Sequence, residues 1–182
     1  MHGYLPRLAE SALDRALGRS PAVAILGPRQ CGKSTLAREF LKGKKAVVLD
    51  LQDRVDRNKL TEPELFFERH RRELICLDEI QLLPEFFATL RSEIDRDRRP
   101  GRFLILGSAS RDLIRQSSES LAGRLAYLDL TPFLFSEVEQ VVDWQSLWLR
   151  GGFPDSLLAR NEQDSFDWRQ DFMQTFLERD IP

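Results

Sequence analysis

Short apolar runs alternate with amphipathic segments through the first 130 residues, and most of the runs end in a small or polar residue. Runs of four or five apolar residues without alternation are typical of strands that are buried on both faces. Helical segments between such strands are typical of a parallel sheet covered by helices, so the pattern predicts an α/β fold with a five-stranded parallel sheet. The predicted strands are residues 22–26, 46–49, 74–77, 103–106 and 127–130, of which the first four are followed by Gly27, Asp50, Asp78 and Gly107–Ser108.

Amphipathic segments predict the helices between these strands. One helix is expected before the first strand, and others near residues 53–60, 64–70 and 85–96, because their apolar positions recur at helical spacing. A helix over residues 34–41 is closed by Gly43. The first of these helices is predicted from Leu5, Leu8, Leu13 and Leu17.

The pattern changes near residue 131. From Pro132 onward it is helical, and Ser136 is predicted to cap the first helix of this part. We therefore expect a core domain over residues 1–131 and a helical extension or lid over residues 132–182.

Composition narrows the class of protein. The chain has 182 residues, of which 42% are hydrophobic and 31% charged, which is the balance of a globular domain. Its net charge of −2 gives no general attraction to nucleic acid or membrane, and no apolar run approaches the roughly 20 residues of a membrane span. The two basic clusters, near residues 69–72 and 91–102, are diluted by acidic neighbours, so DNA is only a weakly supported partner. The start of the chain lacks a signal-like segment, which favours a cytoplasmic protein.

The strongest chemical signal is the octapeptide GPRQCGKS at residues 27–34, which fits G-x-x-x-x-G-K-[ST] between a predicted strand and a predicted helix. Glycines let successive backbone N–H groups face inward at the positive end of a helix dipole, where they bind phosphate. Lys33 adds a charge toward the β and γ phosphates, and Ser34 offers an oxygen to Mg²⁺. The predicted nucleotide-binding residues are Gly27, Pro28, Arg29, Gln30, Cys31, Gly32, Lys33, Ser34 and Thr35.

A second signal is the pair Asp78–Glu79 at the end of the third predicted strand. Ligands of open α/β sheets bind at the carboxyl ends of the strands, which is where this pair lies. We expect Asp78 to bind Mg²⁺ together with Ser34, and Glu79 to polarise a water for attack on the γ-phosphate.

Taken together, the motifs resemble the predicted AAA+ superfamily ATPases of bacteria and archaea. The ordered set is GPRQCGKS, LDEIQ followed by LLP, FLILGSAS at 103–110, LAGR at 121–124 and LTPFLFSE at 130–137. Members of that family carry a second, nuclease-like domain of unknown function after the ATPase domain. The resemblance implies that the chain is the ATPase part and that its last residues lead toward a C-terminal domain. Either the sequence is a fragment, or the protein has lost that second half.

The resemblance also implies roles that the residues alone do not. It places the strand that ends at Ser108 between the phosphate-loop strand and the Asp78 strand, and makes Ser108 a sensor of the γ-phosphate or the attacking water. It makes Arg124 an arginine finger, supplied in trans by another copy in a homo-oligomer. The lid arginine stays unassigned among Arg160, Arg169 and Arg179.

The sequence thus predicts an ATP hydrolase in which Lys33, Glu79, Ser108 and Arg124 are catalytic, and in which Mg-ATP hydrolysis drives a conformational change. ATP is favoured over GTP because the chain has no N-K-x-D segment. Two alternatives stay open. The carboxylates of LDLQD at 49–53 would suit a small-molecule kinase, and a non-catalytic nucleotide-dependent switch or scaffold acting near DNA would carry the same phosphate loop.

Overall fold

A computed structural model of the chain describes residues 3–108 and 121–179, with side chains as far as residue 176. Over these positions the chain forms two compact units. Of the described residues, the larger comprises 8–29, 33–108 and 121–130, and the smaller comprises 3–7, 30–32 and 131–179. The last two residues of FLILGSAS and the final Asp180–Pro182 lie outside the described residues.

The larger unit is built on a five-stranded sheet in the order β2-β3-β4-β1-β5, in which every pair of neighbours is parallel. This confirms the predicted α/β fold and the predicted position of β4 between β1 and β3. The last strand begins two residues earlier than its apolar run indicated. The strands are β1 Ala22–Gly27, β2 Ala46–Asp50, β3 Leu74–Asp78, β4 Phe103–Ser108 and β5 Leu125–Asp129.

Helices pack around this sheet where the amphipathic segments predicted them. The first is shorter than expected: it begins at Ala9 and leaves Leu5 outside, because Leu5 precedes Pro6 and a residue before proline is disfavoured in the helical conformation. The helices of the larger unit are α1 Ala9–Leu17, α2 Lys33–Leu41, α3 Arg54–Asn58, α4 Pro63–Arg69 and α5 Phe86–Arg96, with a 3₁₀ turn at Ile80–Leu82.

The core lies on the central strands. All six residues of β1 are buried, as expected for a strand with neighbours on both sides and helices above and below. Phe67 of α4 is fully buried and meets the ring of Phe103 edge-on at 5.4 Å between centroids. This contact ties α4 to the central strand β4 and so fixes the helix layer on the sheet.

The smaller unit contains the helices after the sheet, namely α6 Phe135–Val138, α7 Trp144–Arg150, α8 Pro154–Leu157 and α9 Glu162–Arg179. The ring of Phe172 on α9 lies 4.8 Å from that of Phe153 and stacks on Trp168 at 5.0 Å. The prediction that Ser136 caps α6 is wrong. Leu134 is the N-cap, Ser136 lies inside the helix, and the carboxylate of Glu137 accepts the Leu134 N–H at 3.0 Å.

Within the part of the chain that the structure describes, no helix has the length and hydropathy needed to cross a bilayer.

Candidate functional site

The phosphate loop connects β1 to α2, as its motif requires. Its backbone turns through two left-handed residues, Gln30 with φ 62° and Gly32 with φ 99°. At Gly32 this conformation explains the glycine of the motif, since L side chains rarely adopt it. Of the predicted binding residues, Pro28, Arg29 and Gln30 are exposed, Cys31 is buried, and Thr35 is exposed on the first turn of α2.

Lys33 is the buried cation of this loop, with 6% of its surface exposed. Its Nζ donates to the carbonyl oxygen of Gly27 at 2.9 Å and to that of Pro28 at 2.8 Å. Both acceptors are neutral carbonyl oxygens, so neither partner carries a negative charge. A buried ammonium held by carbonyl oxygens at a helix start fits an anionic ligand, because only an anion supplies the missing charge.

Asp78 is the buried anion of the site. It ends β3, has 6% of its surface exposed, accepts the Glu79 N–H at 3.0 Å and accepts a hydrogen bond from the Ser34 hydroxyl. Burial raises the pKa of Asp78, and the carboxylates of Glu79 and Asp50 raise it further, while the bonds from Ser34 and from the Glu79 N–H lower it. A carboxylate paired with a hydroxyl and flanked by like charges fits Mg²⁺, whose preferred ligands are oxygens. Ser34 and Asp78 could hold the ion.

Glu79 follows in a strained conformation. Its φ of 58° and ψ of 44° are left-handed, which costs an L residue other than glycine about 1–2 kcal/mol. The 3₁₀ turn after it brings the amide nitrogen of Gln81 to its carboxylate. In the described structure the other amide atom of Gln81, Oε1, is buried without a hydrogen-bond partner. Sequence reasoning did not assign Gln81 a role, although it is part of the LDEIQ motif.

Ser108 ends β4 and is paired in register with Gly27, the first residue of the phosphate loop. Parallel pairing therefore brings the serine and the loop to the same end of the strands. Asp78 ends β3, which is the other neighbour of β4, so the loop, the serine and the aspartate all lie at the carboxyl ends of adjacent strands. The predicted constellation of loop, acidic pair and serine is brought together.

Arg124 lies elsewhere. It precedes β5, whose first residue pairs with Ala22 at the start of β1, whereas the phosphate loop follows the end of β1 about 17 Å away at ~3.3 Å per residue. Its guanidinium binds the carboxylate of Asp95 through two hydrogen bonds of 2.8 and 2.9 Å. These bonds, together with Arg98, hold the pKa of Asp95 at about 2. Arg124 thus lies at the amino ends of the strands, whereas the phosphate loop of the same chain lies at their carboxyl ends.

Comparisons with known proteins agree with this geometry. The sequence profile of a family described as AAA domain matches residues 19–139. The chain belongs to this AAA family. A second profile, a domain of unknown function, matches residues 141–182. The AAA match and the fold identify a P-loop ATPase in general terms.

Two uncharacterized proteins, one of Mycobacterium bovis and one of Mycobacterium tuberculosis, are each 44% identical to the chain over 175 residues. The match covers 96% of this chain and 39% of each relative. A solved structure, the Walker-type ATPase PABY2304 of Pyrococcus abyssi, is similar in fold with a TM-score of 0.62 and 16% identity, covering 98% of this chain and 75% of that one.

The buried Asp78 of the AAA domain predicts a stability cost. Its folded pKa is raised above the ordinary value of an aspartate carboxyl, so ionisation destabilises the folded state, and this cost develops as the pH rises above ~4. Asp78→Asn keeps an oxygen acceptor and removes the charge. We expect the nucleotide-free variant to melt a few degrees higher at pH 7, since ~1 kcal/mol shifts Tm by about 2–4 °C at this size.

The difference in Tm should shrink as the pH falls toward 4. Asp129→Asn is the matched control, because Asp129 ends β5 with its side chain exposed. A variant Asp78→Asn that melts lower than wild type at pH 7 would contradict the burial argument.

Proposed function

We propose that this AAA domain binds Mg-ATP at its phosphate loop and hydrolyses it, and that hydrolysis drives a conformational change. The observation that carries the proposal is the buried Lys33 ammonium, held by the carbonyl oxygens of Gly27 and Pro28. The buried carboxylate of Asp78 and the strained Glu79 at the same sheet edge support it.

The proposed chemistry follows from where charge develops. Loop N–H groups and Lys33 bind the phosphates, and Mg²⁺ held by Ser34 and Asp78 would neutralise charge on their oxygens. Glu79 accepts a proton from the attacking water and orients it, while the Ser108 hydroxyl donates to the γ-phosphate or the water. Gln81 holds the Glu79 carboxylate in place.

The small-molecule kinase is less well supported. Both carboxylates that would serve it are engaged in local capping: Asp50 accepts the Gln52 N–H, and Asp53 accepts the Val55 N–H at the start of α3. In addition, β2 is the edge strand, three strand spacings or about 14 Å from β1. A non-catalytic switch would need Lys33 and Ser34 but not Glu79, so the fate of Glu79 separates it from an ATPase.

The test removes the proposed base. Glu79→Gln keeps the shape and the contact to Gln81 but cannot accept the proton, so ATP binding should stay within a few-fold of wild type while hydrolysis falls about 10²–10⁴-fold. Phosphate release and fluorescent-nucleotide titration measure the two properties. Glu64→Gln, exposed on α4, is the control and should behave as wild type.

If Glu79→Gln hydrolysed ATP at the wild-type rate, the catalytic base would be another residue. Phosphate release should also be measured with and without candidate acceptors. Transfer that depends on an acceptor would establish the kinase, and no turnover by the wild-type protein would favour the switch.

We also propose that Arg124 acts in trans. It lies at the amino ends of the strands, about 17 Å from the phosphate loop at ~3.3 Å per residue, which prevents it from reaching the loop of its own chain. Arg124→Ala and Lys33→Ala subunits should each be slow, and their mixture should recover part of the activity, because one supplies an intact loop and the other an arginine. A trans arginine is worth about 10³–10⁵ in rate in other nucleotide hydrolases.

Arg98→Ala is the matched control for this experiment, since Arg98 also binds the Asp95 carboxylate, at 2.8 Å. It should keep wild-type activity. Specific activity independent of protein concentration, with no recovery on mixing, would show that Arg124 is not a trans finger.

A further inference from the structure

A buried arginine outside the predicted site contacts the tip of the phosphate loop. Arg7 has 6% of its surface exposed and lies in the smaller unit, in the segment before α1. Its Nη1 donates to the carbonyl oxygen of Cys31 at 3.1 Å. The loop tip is therefore held by a guanidinium that is 24 residues away in sequence.

The same guanidinium is fixed from the other side by the segment that follows the sheet. Its Nη2 donates to the carbonyl oxygen of Thr131 at 2.6 Å, and its Nε donates to the Glu137 carboxylate at 3.1 Å. The ring of Phe133 lies under it, 4.6 Å from centroid to Cζ. Three acceptors and an aromatic face leave the arginine a single orientation.

The contact to Cys31 has a consequence for the next amide. The carbonyl of Cys31 and the N–H of Gly32 belong to one planar trans peptide, so they point in opposite directions. A guanidinium that holds the carbonyl on its own side therefore turns the Gly32 N–H away from itself. A Cβ added to Gly32 would lie 3.5 Å from Nη1, which shows how closely the arginine approaches this residue.

We propose that Arg7 is a positioning residue for the phosphate loop: by holding the Cys31 carbonyl it presents the Gly32 N–H to the nucleotide, and through Glu137 it links that amide to residues 131–137. This inference rests on the proposed function, since it concerns the same loop. Bound phosphate would stabilise this orientation of the Gly32 amide, and with it the Arg7–Glu137 pair. Nucleotide binding should therefore make residues 131–137 more ordered.

A second buried arginine with similar kinds of contact serves as the matched control. Arg102 is also buried, donates to the carbonyl oxygens of Glu93 and Asp97, pairs with the Glu93 carboxylate and lies over the ring of Phe103 at 4.9 Å. Its side chain thus contacts α5, the turn after α5 and the first residue of β4, none of which belongs to the phosphate loop. Substituting Arg102 should therefore destabilise the fold as the loss of any buried arginine does, but it should not change the orientation of the Gly32 amide.

The experiment compares Arg7→Lys with Arg102→Lys, and adds Arg7→Ala if that variant stays folded. A lysine can keep a positive charge but not the three directed contacts. For Arg7→Lys we expect ADP and ATP to bind roughly 10-fold or more weakly, as for the loss of one hydrogen bond to a charged group. Arg102→Lys should lower Tm comparably and bind nucleotide within about two-fold of wild type.

A second readout reports on the amide itself. In ¹⁵N-labelled protein, ADP should shift the Gly32 amide resonance strongly in wild type and in Arg102→Lys, and clearly less in Arg7→Lys; resonances of residues 131–137 should follow the same order. Equal affinity and an equal Gly32 shift in Arg7→Lys and wild type would overturn the inference. If wild-type protein bound no nucleotide at all, the proposed function would fail first, so the two failures are distinguishable.

Discussion

The site depends on one buried charge. Lys33 is an ammonium with 6% exposure whose hydrogen-bond partners in the loop are two carbonyl oxygens. These two backbone oxygens accept two of the three N–H groups of the ammonium and do not neutralise its charge, so binding of an anion lowers the free energy of the site. Asp78 presents the opposite case at the end of β3, a buried carboxylate whose pKa is raised by burial and by neighbouring acids. The ammonium favours an anion and the carboxylate favours a cation, and the proposed ligand, Mg-ATP, supplies both.

The parallel sheet brings these charges together. Because the strand order is β2-β3-β4-β1-β5, the ends of β1, β4 and β3 lie side by side, and Ser108 falls between the loop and the acidic pair. The ammonium of Lys33 and the carboxylate of Asp78 are both buried, and burial of a charged group destabilises the empty site, a cost that functional sites commonly carry. The left-handed backbone of Glu79 adds to it.

Local signals in the sequence were enough to predict the strands, the loop and the acidic pair, because each depends on residues close in the chain. The order of the strands in the sheet was predicted only from the family resemblance. Contacts between distant residues were not predictable in this way. Arg7 meets Cys31 and Glu137 only after folding, and Arg124 meets Asp95 through the docking of α5. Ser136 was wrongly predicted as a cap because a nearby acid, Glu137, caps the helix from within.

The chain spans 39% of the length of its mycobacterial relatives. The proposed activity is therefore that of this chain and not that of a whole protein of their length.

The most direct test of this account is the affinity for Mg-ATP when the buried charge is removed. Lys33→Ala should weaken binding of a fluorescent ATP analogue at least 10-fold, since one desolvated charge-assisted contact to phosphate is worth about 1.5–3 kcal/mol. Lys42→Ala is the matched control, because Lys42 follows the same helix but is exposed and pairs with Glu39. It should bind as wild type does. Equal affinity of Lys33→Ala and wild type would contradict the assignment of the nucleotide site.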